Sequence, residues 1–131
     1  MSKGYLYAIF KRKDLRFWQG IAGGGEDNET AIKTAKREAS EEANIDKNSR
    51  FIKLDSMTTI PKVNIGNYKW GKNILVLPEY SFGVEVSSRD LKIRKEHSGY
   101  KWLSYKNAEK LLKYDSNRSA LWELNHRLIK K

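Results

Sequence analysis

The 131-residue chain contains no cysteine. That excludes a disulfide framework, a thiolate metal site and a cysteine nucleophile. Prolines number two and glycines nine, too few for a low-complexity or collagen-like segment, so the sequence reads as folded throughout. No apolar run approaches the ~20 residues that cross a bilayer. The opening Met-Ser-Lys-Gly-Tyr lacks the apolar stretch of a secretory leader. The length predicts one domain spanning residues 1–131, and the absence of cysteine and of long apolar runs is compatible with a cytoplasmic chain without a membrane partner. Acids are the minority charge, 16 against 26 Lys and Arg, and the net +10 favours polyanionic partners. Nucleic acid, a small phosphorylated substrate and a merely solvated basic surface all remain open on charge alone.

Strand formers fill Tyr5 to Lys11, and a second short strand is expected from Phe17 to Ala22, ending at Gly23-Gly24-Gly25. From Thr30 to Asn44 the chain is rich in Ala, Lys, Arg and Glu and free of Gly and Pro, which predicts a helix. Its apolar positions Ile32, Ala35, Ala39 and Ala43 recur at helical spacing, and their small size suits close packing on a sheet. Strands are expected over Phe51–Ile60 and Ile74–Val86, broken near Pro61 and Pro78. Helices follow over Tyr105–Tyr114 and Asn117–Ile129, the second with Leu121, Leu124 and Leu128 on one stripe. The pattern predicts an α/β sandwich with helices on both sides of a sheet.

Against this basic background, Gly23 to Ile45 is studded with acids. Glu38, Glu41 and Glu42 lie three and four positions apart and so share one helical face. Like charges so placed repel, and a hard divalent cation that prefers oxygen ligands removes the repulsion. Arg37 stands four residues before Glu41, within reach of an orienting ion pair. The triple glycine leading into a helix start suits phosphate oxygens, because its backbone can approach a ligand closely. A solvated acidic helix face behind a flexible turn would share these features one at a time.

The spacing is more restrictive. From Gly23 the chain runs five residues to Glu29, seven to Arg37-Glu38, two to Glu41-Glu42 and one to Asn44-Ile45. This resembles the Nudix box, with Ala39 at an aliphatic site and Asn44 where the closing glycine usually stands. Asparagine is the non-glycine residue that best tolerates a left-handed C-cap.

The resemblance implies an α/β/α sandwich around a mixed sheet, with the box as a loop–helix–loop. It implies Mg²⁺, or Mn²⁺, held by Glu38, Glu41, Glu42 and the Gly23 carbonyl, with Arg37 and Glu29 bracing the box. The metal would neutralise phosphate oxygens and activate a water that splits a pyrophosphate bond, giving a monophosphate and pyrophosphate. Glu41, Glu38 and Arg37 are the expected catalytic centre. Glu96 is the candidate further base or ligand, because Glu96-His97 followed by Trp102-Leu103 resembles a stretch found in two subfamilies. These are the dihydroneopterin triphosphate and dATP pyrophosphohydrolases and the diadenosine tetraphosphate hydrolases.

Phe17-Trp18-Gln19 and Ser116-Asn117-Arg118 resemble stretches of the first subfamily. Trp18 or Gln19 would face a flat ring, and Arg12, Lys13 and the Gly24 backbone would meet phosphates. The expected partner is a small nucleotide-like substrate, with nucleic acid not favoured and a monomer or homodimer as the assembly. A diadenosine tetraphosphate hydrolase, an RNA 5′-end pyrophosphohydrolase and a non-catalytic binding module on the same fold are the alternatives. The resemblance also implies a strand ahead of Tyr5, whose place would fall to an open edge, a partner strand or another part of the chain.

Overall fold

The computed structural model describes residues 4–13, 16–21, 30–61, 75–93 and 97–130. Among them are five strands and three helices: β1 (Tyr7–Arg12), β2 (Trp18–Gln19), α1 (Ala31–Ala43), β3 (Phe51–Pro61), β4 (Val76–Val84), β5 (His97–Leu103), α2 (Tyr105–Leu111) and α3 (Asp115–Ile129). β1 lies between β2 and β5, antiparallel to both, and β3 pairs antiparallel with β4 in a second sheet. A single parallel bridge, Trp18 to Leu112, joins β2 to the segment after α2.

Side chains alternate across a strand, and in β1 both faces are buried. Tyr7 and Ile9 enter a cluster with Ala108 of α2, Leu112 and Leu121 of α3. Leu124 and Leu128 pack on the same cluster, as the leucine stripe predicts. Phe10 points the other way, to Ala39, Ala43 and Ile45 at the end of α1. The outcome is the expected sandwich, with α1 on one face of β1 and α2 and α3 on the other. Alanine at positions 39 and 43 lets the α1 backbone lie close to the sheet.

The bounds of α1 follow local chemistry. Thr30 caps it, its hydroxyl accepting from the Lys33 N–H. Asn44 ends it in the left-handed conformation, φ 57° and ψ 37°, and is the one non-glycine residue with positive φ among those described. Its N–H closes the last turn on the carbonyls of Ala39 and Ser40.

Three elements depart from the sequence expectation. α2 stops at Leu111 rather than Tyr114. Leu112 turns extended, becomes buried and bridges Trp18, while the Lys113 N–H donates to the Trp18 carbonyl at 3.0 Å. A tertiary pairing thus outweighs helix propensity. β4 runs through Pro78 instead of breaking there. Among the described residues β4 pairs only with β3, and an edge strand tolerates proline where the N–H is not needed. In β3, residues Leu54 to Ser56 oppose Ser81 alone, because the register shifts between Lys53 and Met57. This bulge orphans N–H groups that α3 satisfies: Glu123 accepts from the Asp55 and Ser56 N–H groups at 2.7 Å each.

Candidate active site

The acidic face of α1 is present as a helix surface, and its carboxylates differ in what they meet. The Arg37 guanidinium donates to Glu38 at 2.7 Å and to Glu41 at 3.1 Å. It sits between the two like charges and offsets the repulsion the spacing implies. Side-chain exposure is 14% for Glu38 and 56% for Glu41. The Arg37–Glu41 pairing is the one the sequence predicts.

Glu42 is different. Its side chain is only 10% exposed, and it faces the buried His97 at the start of β5, with Nδ1 at 3.6 Å from Oε2. The Phe10 ring lies 5.4 Å from the His97 ring, centroid to centroid. The imidazole is therefore an internal partner of the box helix. Among the described residues, no three acidic or histidine side chains converge closely enough to hold a metal. The donor set of α1 still consists of carboxylate oxygens, which matches a hard divalent cation.

Cross-strand partners share a face, so register sorts the other candidates. Arg12 stands opposite His97, and Gln19 opposite Phe10, which puts both on the α1 side of the sheet. Trp18 stands opposite Lys11, on the side of Ile9, and packs against the α2–α3 cluster. The Lys101 ammonium covers the Trp18 ring at 5.1 Å from its centroid. Lys13 is exposed beyond the end of β1. Gly23, Gly24, Glu29 and Glu96 lie outside the described residues.

Between α1, β1, the β3–β4 sheet and α3 is a cavity of about 500 Å³. That volume falls in the range of small-molecule sites, about 300–1,000 Å³. Its walls are mostly apolar, among them Ala35, Leu54, Leu77, Phe82 and Leu124. Glu38 of the acidic face lines it, and so does Glu79 of β4. Sequence reading did not single out Glu79. The available signal was a carboxylate at the same strand parity as the buried Leu77.

The Ser116-Asn117-Arg118 triplet has a structural role that its resemblance did not specify. Asn117 Oδ1 accepts the Gly20 N–H at 3.1 Å, three residues before Gly23. Arg118 donates to the carbonyls of Leu112 at 2.6 Å and Lys113 at 3.2 Å, and pairs with Asp115. That fixes the segment bearing the Lys113 N–H, which holds Trp18. β2 is thus gripped on one side by β1 and on the other by the start of α3. Asn117→Ala is expected to lower kcat about 10-fold with little change in melting temperature, as loss of a positioning contact does, while Asn117→Asp keeps the acceptor and restores most of the rate. A rate equal to that of the parent in the alanine variant would remove the contact from the catalytic account.

Comparison with known proteins converges on one family. The NUDIX domain model matches residues 6–123. Dihydroneopterin triphosphate diphosphatase of Haemophilus influenzae is 31% identical over 114 residues, 85% of this chain and 72% of its own. A solved NUDIX hydrolase from Listeria monocytogenes superposes with a TM-score of 0.85 at 40% identity, over 98% of this chain and 87% of that one. The E. coli dihydroneopterin triphosphate pyrophosphohydrolase superposes with a TM-score of 0.76 at 26% identity, over 93% and 86% respectively.

Proposed function

The chain belongs to the NUDIX family of pyrophosphohydrolases, and on that premise we propose that it hydrolyses a nucleoside triphosphate or the pterin analogue dihydroneopterin triphosphate to a monophosphate and pyrophosphate. The observation that carries this reading is the shared wall. Glu38, on the acidic face of α1, lines a largely apolar cavity wide enough for a flat heterocycle. Phosphates at the box and a ring in the cavity would span one continuous site. The 31% identity to a dihydroneopterin triphosphate diphosphatase supports the pterin substrate.

Glu38, Glu41 and Glu42, with the Gly23 carbonyl, would hold Mg²⁺ or Mn²⁺, and their oxygen-only chemistry suits either ion. A bound divalent ion supplies charge neutralisation at the phosphates and a more acidic water. The protein's own groups do the positioning. Arg37 orients Glu38 and Glu41 through its two hydrogen bonds, and His97 backs Glu42 from the sheet side. Arg12, on the same side as His97, meets substrate phosphate together with Lys13 and the Gly24 backbone. Gln19 shares that side, whereas Trp18 faces the α2–α3 core. Glu96, the chain neighbour of His97, takes the proton from the attacking water.

The test is product release with Mg²⁺, read as pyrophosphate or as nucleotide, across dihydroneopterin triphosphate, dATP, dGTP, dTTP, diadenosine tetraphosphate and a 5′-triphosphorylated RNA. Turnover of a triphosphate with pyrophosphate as product supports the reading. Turnover of diadenosine tetraphosphate or the RNA end alone would replace the proposed substrate, and turnover of none would remove it.

A further inference from the structure

Glu79 is a carboxylate in an unusual place. It lies on β4, two residues from the buried Leu77 and four from Gly83, where an added Cβ would sit 2.6 Å from Leu124 of α3. All three positions have the same strand parity, so Glu79 points toward the interior side of the sheet. It is half-buried and lines the cavity that Glu38 also lines. Glu38 and Glu79 are the charged side chains on that lining among the described residues; Arg37, which pairs with Glu38, is not part of it.

Structural roles for such a group leave partners, as Glu123 shows with its hydrogen bonds to Asp55, Ser56 and Arg127. Glu79 has no hydrogen bond or ion pair among the described residues, and burial alone pushes its carboxyl above the ordinary carboxylate range. Among the described residues nothing offsets the desolvation of that carboxylate. A half-buried acid on a largely apolar cavity wall, without a partner among the described residues, marks a ligand contact. Phosphate is the wrong ligand, because two anions would repel. The complementary partner is a pair of N–H donors.

We propose that Glu79 reads the base of the substrate, its carboxylate accepting hydrogen bonds from a ring N–H and the adjacent exocyclic amino group. Pterin and guanine carry that edge. Adenine and cytosine place an acceptor beside their amino group, and thymine flanks its N–H with two carbonyls. A carboxylate meets the vicinal donors in a two-pronged contact, as it meets a guanidinium. The inference rests on the triphosphate reading given above, and it adds the side chain that selects the ring.

Three variants and three readouts test it. Glu79→Gln replaces one acceptor with a donor, and Glu79→Ala removes both; Glu85→Gln, at an exposed position outside the cavity lining, serves as the control. The kcat/KM ratio of dihydroneopterin triphosphate or dGTP over dTTP is expected to fall about 10- to 100-fold in both Glu79 variants and not in the control, the discrimination typical of a good two-pronged base contact. Melting temperature is expected to hold or rise, because a desolvated, unpaired charge is removed. Neopterin, which carries no phosphate, is titrated by its own fluorescence and is expected to bind the Glu79 variants at least 10-fold more weakly than the parent. An unchanged selectivity ratio with unchanged neopterin binding overturns the assignment. Where the parent hydrolyses no triphosphate, the substrate reading fails, and the neopterin titration still decides whether Glu79 reads the ring.

Discussion

Glu41→Gln is expected to lower kcat about 1,000-fold while shifting the melting temperature by no more than about 2 °C. The separation follows from where the side chain sits. Glu41 is 56% exposed, and its contact is an i,i+4 pairing with Arg37 at 3.1 Å. Exposed pairs of this kind contribute about 0–1 kcal/mol, and removing one of three crowded like charges returns part of that. Glutamine has nearly the same shape, so packing is preserved. On the proposed metal role the loss falls on chemistry: Glu41 would help hold the divalent ion that polarises phosphate or water, and weakening that ion's hold would cost several kcal/mol of transition-state stabilisation. Mn²⁺ affinity, followed by electron paramagnetic resonance, is expected to weaken in parallel. A kcat within 10-fold of the parent, with unaltered Mn²⁺ binding, would take Glu41 out of the metal site.

The same residues show how far a sequence discloses a site. The box spacing is local, and helical periodicity converts it directly into a shared face, so α1, the Arg37–Glu41 pair and the left-handed Asn44 were all legible. Periodicity does not say which carboxylate another element will bury. Glu42 turns toward His97 because β5 pairs with β1 and brings the imidazole there, 55 positions along the chain from Glu42 (residues 42 and 97). The Asn117–Gly20 contact, 97 positions apart, is equally hidden, although the triplet that makes it could be seen. Leu112 illustrates a different limit. Its helical surroundings predict continuation of α2, and only the bridge to Trp18 pulls it out. Glu79 lay in plain view on a strand, but without register no side of that strand could be assigned to a cavity.

Glu123→Gln is expected to lower stability by about 2 kcal/mol at neutral pH, in line with the loss of charge-assisted hydrogen bonds from a semi-buried group. For a chain of this length that is roughly 6–10 °C in melting temperature. The carboxylate accepts from the Asp55 N–H, the Ser56 N–H and hydroxyl, and Arg127 Nε, each at 2.7 Å, while Arg127 also reaches Asp55 at 2.9 Å. Partial burial alone would raise the Glu123 carboxyl; the hydrogen bonds from Asp55, Ser56 and Arg127 outweigh it and bring the group down to about 2. The unfolded chain titrates near the ordinary value of 4.5. A pKa depressed by folding means that the folded form holds its charge to lower pH than the unfolded form does. Its stabilisation is therefore complete above about pH 4.5 and is lost as pH falls from there toward 2. The two proteins should consequently differ most at neutral pH and converge below about pH 3, as measured by urea unfolding along a pH series. A gap that persists undiminished at pH 2.5 would mean that packing of the side chain, and not its charge, ties α3 to the β3 bulge.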